Sequence, residues 1–312
     1  MYRFYNYEGG IYKSNVIEEK IEDLGGYILR KEKHSRELNL LFAVPEEDID
    51  VIKEISDEIK GEIKKRDLIG TEIAVVSPSI SRHHLPHPVC DIAERLRREG
   101  ASTSIISTAR GVGRRISQIT REEKIMIEEY DAGVFIFGEF EDCILDYKKD
   151  ILKEIKVPKI VVGGPQIKNL ESADTYIGDV GRKTKRMRKT REQRKLDEIT
   201  NALSECISKK REEIREDPLS VSPIEVKRIV EESGIHEKSD SHSPILLHLD
   251  GLRIKLPYDE YKQEVSEIDV YGKKLGEIAE LRKSQRETDD IVVKIHTESY
   301  LEQVKETKLK VS

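Results

Sequence analysis

The sequence predicts an α/β protein: a central parallel, doubly wound domain of the Rossmann-like or flavodoxin-like kind, between an N-terminal α+β unit and a C-terminal α+β appendage. Three observations predict it. From Thr71 onward short apolar runs alternate with amphipathic helical stretches, which is the pattern of βαβ crossovers. Before Thr71 the order is strand, helix, strand pair, helix, and after residue 216 a hairpin pattern replaces the crossovers. At 312 residues the chain is long enough for two or three domains, and the expected division is 1–70, 71–215 and 216–312.

In the first segment a strand is expected at 2–7 and a helix at 15–24, stopped by Gly25 and Gly26. A strand pair follows at 27–30 and 38–44. Pro45 opens a second helix, EEDIDVIKEISDEIKGEIKK over 46–65, that carries Ile49, Ile52, Ile55 and Ile59 on one face. This order suggests a ferredoxin-like unit that serves packing or partner contacts.

The middle segment offers strands at 72–76, 102–107, 132–137, 159–162 and 174–177, with helices at 88–99, 121–130, 143–155 and 191–213. In such sheets ligands bind at the carboxyl ends of the strands, where the loops into the helices converge. The last segment has a short helix at 223–232 and the run ILLHLDGLRIKLP, two alternating strands joined at Asp250 and Gly251. Further β-prone stretches lie at 268–271 and 291–297.

Composition narrows the function classes. Charged residues make up 37% of the chain, with no Trp and five Phe, so the core must come from Ile, Leu and Val. A net charge of −6 argues against a nucleic-acid partner. The basic run 181–195, GRKTKRMRKTREQRK, reads equally as a solvated helix start or as a docking surface for an acidic partner. No apolar stretch reaches the roughly 20 residues of a membrane span, and MYRFYNYEGG lacks a signal pattern. A cytoplasmic protein is expected. Cys90, Cys143 and Cys206 form no CxxC pair, which suits free thiols rather than a disulfide framework.

The loop after the first parallel strand concentrates chemistry. SISRHHLPHP brings His83, His84 and His87, and the helix beginning VCDIAERL brings Cys90. If Pro88 opens that helix, Cys90 lies in its first turn, where unpaired amides and the helix dipole favour a thiolate. Histidine nitrogen with cysteine sulfur suits zinc, copper or an iron–sulfur centre. The plain alternative is that these histidines cap the helix and Cys90 packs as a small apolar residue. The third strand, GVFIFG, exits through EFED to Cys143, also at a helix start; if the two strands are close in the sheet, both thiols share one rim. Cys206, inside a helix, reads as packing.

After the second strand, TARGVGRRIS supplies Gly111 and Gly113 for close backbone approach, with Arg110 and Arg114 as fixed charge for an anion. The third glycine of a dinucleotide fingerprint is absent, as are GxxxxGK[ST] and GxSxG, so ATP hydrolysis and a serine triad are not expected. His34, His236, His242, His248 and His296 read as ordinary surface or satisfied histidines.

The ordered motifs SRHHLPHPVCDIAERLRREGA, ARGVGRRISQ, EEYDAGVFIFGEFEDC and PKIVVGGP resemble methanogenesis marker protein 7, a family related to methyl-coenzyme M reductase operon protein C. The resemblance is most specific over residues 71–180. It implies an accessory subunit of the ATP-dependent complex that reductively activates methyl-coenzyme M reductase, with the reductase, operon protein C, an ATPase component and other marker proteins as partners. It also implies an iron–sulfur cluster for low-potential electron delivery, for which Cys90 and Cys143, with one of His83, His84 or His87, become candidate ligands. No sequential four-cysteine run exists, so such a cluster would draw ligands from a second chain. The subunit is then an electron-transfer or assembly protein rather than an enzyme; the alternative is a scaffold without a metal.

Overall fold

Residues 2–77, 86–108, 119–181, 189–286 and 288–311 are described by the structure, a computed structural model. The chain divides into two units, Met1–Gly70 and Thr71–Ser312.

The first unit runs β1 (Tyr2–Gly10), α1 (Ser14–Asp23), β2 (Tyr27–His34), β3 (Glu37–Pro45), α2 (Ile49–Glu58) and β4 (Glu62–Lys65). The strands pair antiparallel in the order β2-β3-β1-β4, the arrangement of a split βαβ ferredoxin-like unit. Alternation along β3 buries Leu38, Leu40, Phe42 and Val44 with Ile17 and Ile21 of α1 and Ile49 and Ile52 of α2. The helix expected over 46–65 ends before β4. Lys60 instead takes a left-handed conformation (φ 59°) and the Gly61 amide closes on the Ser56 carbonyl, which ends the helix. EIKK carries only one apolar residue, so its strand character is hidden in the sequence.

The second unit begins with β5 (Glu72–Ser77), α3 (Pro86–Arg98), β6 (Ser102–Ser107), α4 (Arg121–Glu128), β7 (Ala132–Gly138), α5 (Glu141–Asp146), β8 (Lys159–Gly163), β9 (Thr175–Ile177) and α6 (Lys189–Glu216). All five strands are parallel, in the order β6-β5-β7-β8-β9. This is the expected doubly wound sheet. β5 and β7 are buried at every residue, as strands covered on both faces must be. Side chains from α4 and α5, including Ile127 and Ile144, pack with Ala74, Val76, Phe135 and Phe137. α3 and α6 pack on each other and on strands of the same sheet. The chain reverses its direction of growth between β5 and β7, so the switch point lies at their carboxyl ends. The helix expected at 143–155 is shorter: α5 spans six residues and gives way to a 3-10 turn at Lys148–Leu152. At the end of β8 the chain makes a close approach, since a Cβ on Gly163 would stand 2.4 Å from the Tyr176 hydroxyl.

The chain continues through α7 (Pro223–Glu232), β10 (Ile245–His248), β11 (Gly251–Pro257), α8 (Tyr258–Ser266), the two-residue pair β12 (Asp269–Val270) and β13 (Lys273–Lys274), α9 (Leu275–Ile278), β14 (Ala279–Lys283), β15 (Asp290–Ile295) and α10 (Glu298–Val311). Four of these strands form an antiparallel sheet, β10-β11-β15-β14. Val226 and Val230 of α7, Val265 of α8 and Leu275 of α9 share a core with Leu252, Ile254, Ile291 and Val293. The hairpin expected at Asp250 and Gly251 is present, shifted by one residue: His248 pairs with Gly251, so Leu249 and Asp250 form the turn.

Gly251 serves the strand rather than the turn, because a Cβ there would stand 1.9 Å from the Val293 carbonyl oxygen of the neighbouring strand. Gly251→Ala is expected to lower stability by about 1–3 kcal/mol, the usual cost of overpacking. Urea denaturation would measure it, and an unchanged midpoint would show that the two strands can part without cost.

Candidate functional site

The carboxyl edge of the parallel sheet is the place the sequence nominated. β5 and β7 are neighbours, paired from Ile73 with Ala132 to Val76 with Phe135, so the condition for the two cysteine-bearing segments to converge is met at the strand level. Cys90 is exposed on α3 and Cys143 is half-buried on α5. α3 starts at Pro86, two residues earlier than expected, which makes Cys90 the fifth helical residue, past the four amides left unpaired at a helix start. Cys143 is the third residue of α5. His83, His84, Arg110, Gly111, Gly113 and Arg114 lie outside the described residues, as do residues 182–188 of the basic run; His87 is helical, with its side chain outside the description. Cys206 is half-buried on α6, away from this edge in sequence, and burial is the first cause that raises its thiol pKa.

One feature of this edge has no sequence signal. Lys148, fully buried, donates to the Phe137 carbonyl at the end of β7 and lies near the Cys143 sulfur. Burial pushes its ammonium pKa down to about 8, against the raising influence of Cys143. Lys148 thus sets a cation beside the Cys143 sulfur.

The amino edge of the same sheet holds a second polar centre. Glu72 opens β5, Glu129 and Asp131 precede β7, His248 ends β10, Arg253 lies in β11, and Ser284 and Arg286 follow β14. Arg253 is 0% exposed and Glu72 1%. Arg253 donates from Nε to Glu72 Oε2 (3.0 Å), from Nη2 to Glu129 Oε2 (3.1 Å) and from Nη1 to Ser284 Oγ (2.9 Å). Arg286 donates to Glu72 Oε1 at 2.6 Å and lies over the Tyr130 ring at 4.3 Å. Glu129 Oε1 accepts from the Gln285 amide and Oε2 from the Ser284 hydroxyl, both at 2.7 Å. Burial alone would raise the Glu72 pKa. The hydrogen bond from His248 and the charges of His248, Arg253 and Arg286 overcome that and hold the carboxyl far below its usual range.

An ionised carboxylate only accepts, so the 2.8 Å contact between His248 Nε2 and Glu72 Oε2 places a proton on Nε2. Nδ1 is the ring nitrogen left for a further partner. Asp131 is held by two amides, Glu72 N to Oδ2 (2.7 Å) and Leu249 N to Oδ1 (2.9 Å). Burial raises its pKa to about 6; His248 opposes the rise and Asp250 adds to it. His248, Asp131 and Asp250 line a cleft of about 640 Å³, whose walls also carry Lys156, Lys210, Lys283 and Lys294. One ring nitrogen and one oxygen from each carboxylate lie within 4.8 Å of one another. The sequence reading set His248 among ordinary histidines. The signals that could have flagged this centre were Glu72 opening an otherwise apolar strand and Arg253 inside GLRIKLP.

The model of the methyl-coenzyme M reductase operon protein C family matches residues 2–268. An uncharacterised protein of Methanocaldococcus jannaschii is 41% identical over 303 residues, covering 97% of this chain and 96% of that protein. Among solved structures, a formyltetrahydrofolate deformylase from Pseudomonas putida aligns at 10% identity and a TM-score of 0.19, over 43% of this chain and 59% of that one. Glutamyl-tRNA reductase from Methanopyrus kandleri aligns at 8% identity and a TM-score of 0.20, over 76% of this chain and 84% of that one. Scores this low carry no argument about fold or function. No helix among the described residues is long and apolar enough to cross a membrane.

Arg253 is the buried partner of both Glu72 and Glu129. Arg253→Met should therefore cost about 3–5 kcal/mol, because it strands carboxylates rather than merely deleting contacts. A chemical denaturation curve would show the loss as a lower midpoint. A midpoint within error of the parent would mean that Arg286 and His248 suffice to hold Glu72.

Proposed function

The chain belongs to the methyl-coenzyme M reductase operon protein C family, and from that premise we propose that it is an accessory subunit in the reductive activation of methyl-coenzyme M reductase. The observation that supports the site is the adjacency of β5 and β7, the strands that precede the helices bearing Cys90 and Cys143. In this reading the carboxyl edge contributes thiolate ligands to an iron–sulfur cluster at a subunit interface, and the cluster supplies low-potential electrons when bound.

The residues fit a shared cluster and not a self-contained one. The reading uses two of the three cysteines, those on the helices that follow β5 and β7, and an iron–sulfur centre of the common kinds needs four ligands. The exposure of Cys90 suits a ligand offered to a second chain. The buried Lys148 ammonium near Cys143 would offset part of the negative charge of a thiolate-bound centre. His83, His84 and His87 remain candidates for a further ligand, and the arginine-glycine loop with Arg110, Gly111, Gly113 and Arg114 for an anion at the same edge. The proposed partners are the reductase, a further operon protein C, an ATPase component and other methanogenesis marker proteins. The alternative is a scaffold that grips these partners without a metal, through the basic run 181–195.

The experiment is anaerobic affinity purification of the tagged full chain from its native cells, with partners, iron and acid-labile sulfide quantified. The reading expects reductase subunits and an ATPase to co-purify, and Cys143→Ser and Cys90→Ala each to deplete iron and sulfide while the set of partners stays. Unchanged iron and sulfide in both variants would leave the scaffold, and the absence of reductase subunits would remove the activation role.

A further inference from the structure

We propose that Asp131, His248 and Asp250 form a binding site for one divalent transition-metal ion, of the manganese, iron(II) or zinc class, on the floor of the cleft at the amino edge of the sheet. The site lies at the opposite end of the strands from the cysteine edge and is independent of the cluster reading.

Four features argue for it. First, Glu72 accepts a hydrogen bond from His248 Nε2–H at 2.8 Å, and His248 is 4% exposed. A carboxylate on the far nitrogen is the usual outer partner of a metal-bound histidine, because it fixes the tautomer and the ring plane. The remaining nitrogen, Nδ1, belongs to a residue that lines the cleft and has no hydrogen-bond partner among the described residues. Second, Asp131 is aimed by two backbone amides, one to each oxygen, and each oxygen keeps a second lone pair for a ligand. Third, Asp250 stands in the two-residue turn between β10 and β11, so the strand that ends in His248 also delivers Asp250 two residues on. Fourth, two carboxylates and an imidazole, which is neutral when it ligates a metal, sum to a charge of −2 and match a divalent ion. Imidazole favours a transition metal over calcium or magnesium, and three protein ligands leave positions open to solvent in the cleft.

Lys294 is the competing group. Its ammonium donates to Asp250 Oδ2 at 3.0 Å, leaving Oδ1 for the ion but offsetting part of the site's negative charge. This contact supplies a test in the opposite direction from loss of a ligand.

The chain, stripped with a chelator and returned to buffer, is titrated with Mn²⁺ while the free aquo ion is followed by electron paramagnetic resonance; Zn²⁺ is then added as a competitor. One Mn²⁺ per chain is expected, displaced by Zn²⁺. Asp250→Ala, a change in a half-exposed turn, should weaken binding by about tenfold or more, at least the loss that follows removal of an outer partner. Lys294→Gln should tighten it. A Cys90→Ala, Cys143→Ser double variant should keep the manganese stoichiometry, so that failure of this site and failure of the cluster reading give different results. Circular dichroism establishes that each variant is folded. Absence of bound Mn²⁺ or Zn²⁺ in the parent, or equal affinity in folded Asp250→Ala, overturns the proposal.

Discussion

A guanidinium with no access to water, held between two carboxylates from a different sheet, is the constraint on which the larger unit rests. Arg253 of β11 reaches Glu72 at the first residue of β5 and Glu129 just ahead of β7. Burying it costs several kcal/mol in lost hydration, which only a saturated set of partners offsets. Those partners come from Glu72, Glu129 and Ser284, and the competing demands of Glu72 are met in turn by His248 and Arg286. The antiparallel sheet is thereby keyed to the amino ends of the two central parallel strands, and a slip of either sheet would strand a charge.

This arrangement divides the doubly wound domain by task. The amino edge is filled by the ionic centre and covered by β10, β11 and the segment after β14. The carboxyl edge is where an open parallel sheet binds its ligands, and the helices that follow β5 and β7 carry Cys90 and Cys143. Lys148, buried against the end of β7, ties that edge to its own cation, so each end of the sheet has a preorganised polar group set in an apolar wall.

The parts of the fold that could be read from the sequence are those whose signal is local. The parallel strands stand out because β5 and β7 are continuous apolar runs. The ferredoxin-like order emerges from helix periodicity and the stop at Gly25, which takes φ 70°. β4 and β14 were not legible, because EIKK and AELRK alternate charge with few apolar residues and pair only through distant partners. The ionic centre was hidden for a different reason. Its bonds join Glu72 to residues 176, 181 and 214 positions away, and no window along the chain holds two of its opposite charges in contact. His248 sits in an alternating strand where a polar residue ordinarily faces water, so its burial follows from the packing of a second sheet rather than from its neighbours in sequence.

Native-state hydrogen exchange over Thr71–Ser312 tests most directly whether the ionic centre makes the two sheets one cooperative unit. The account predicts that the slowest amides of β5 and β7 and those of β11 and β15 exchange through the same opening, with equal free energy and equal denaturant dependence. Exchange of β10, β11, β14 and β15 at a distinctly lower free energy, with β5 and β7 still protected, would contradict it.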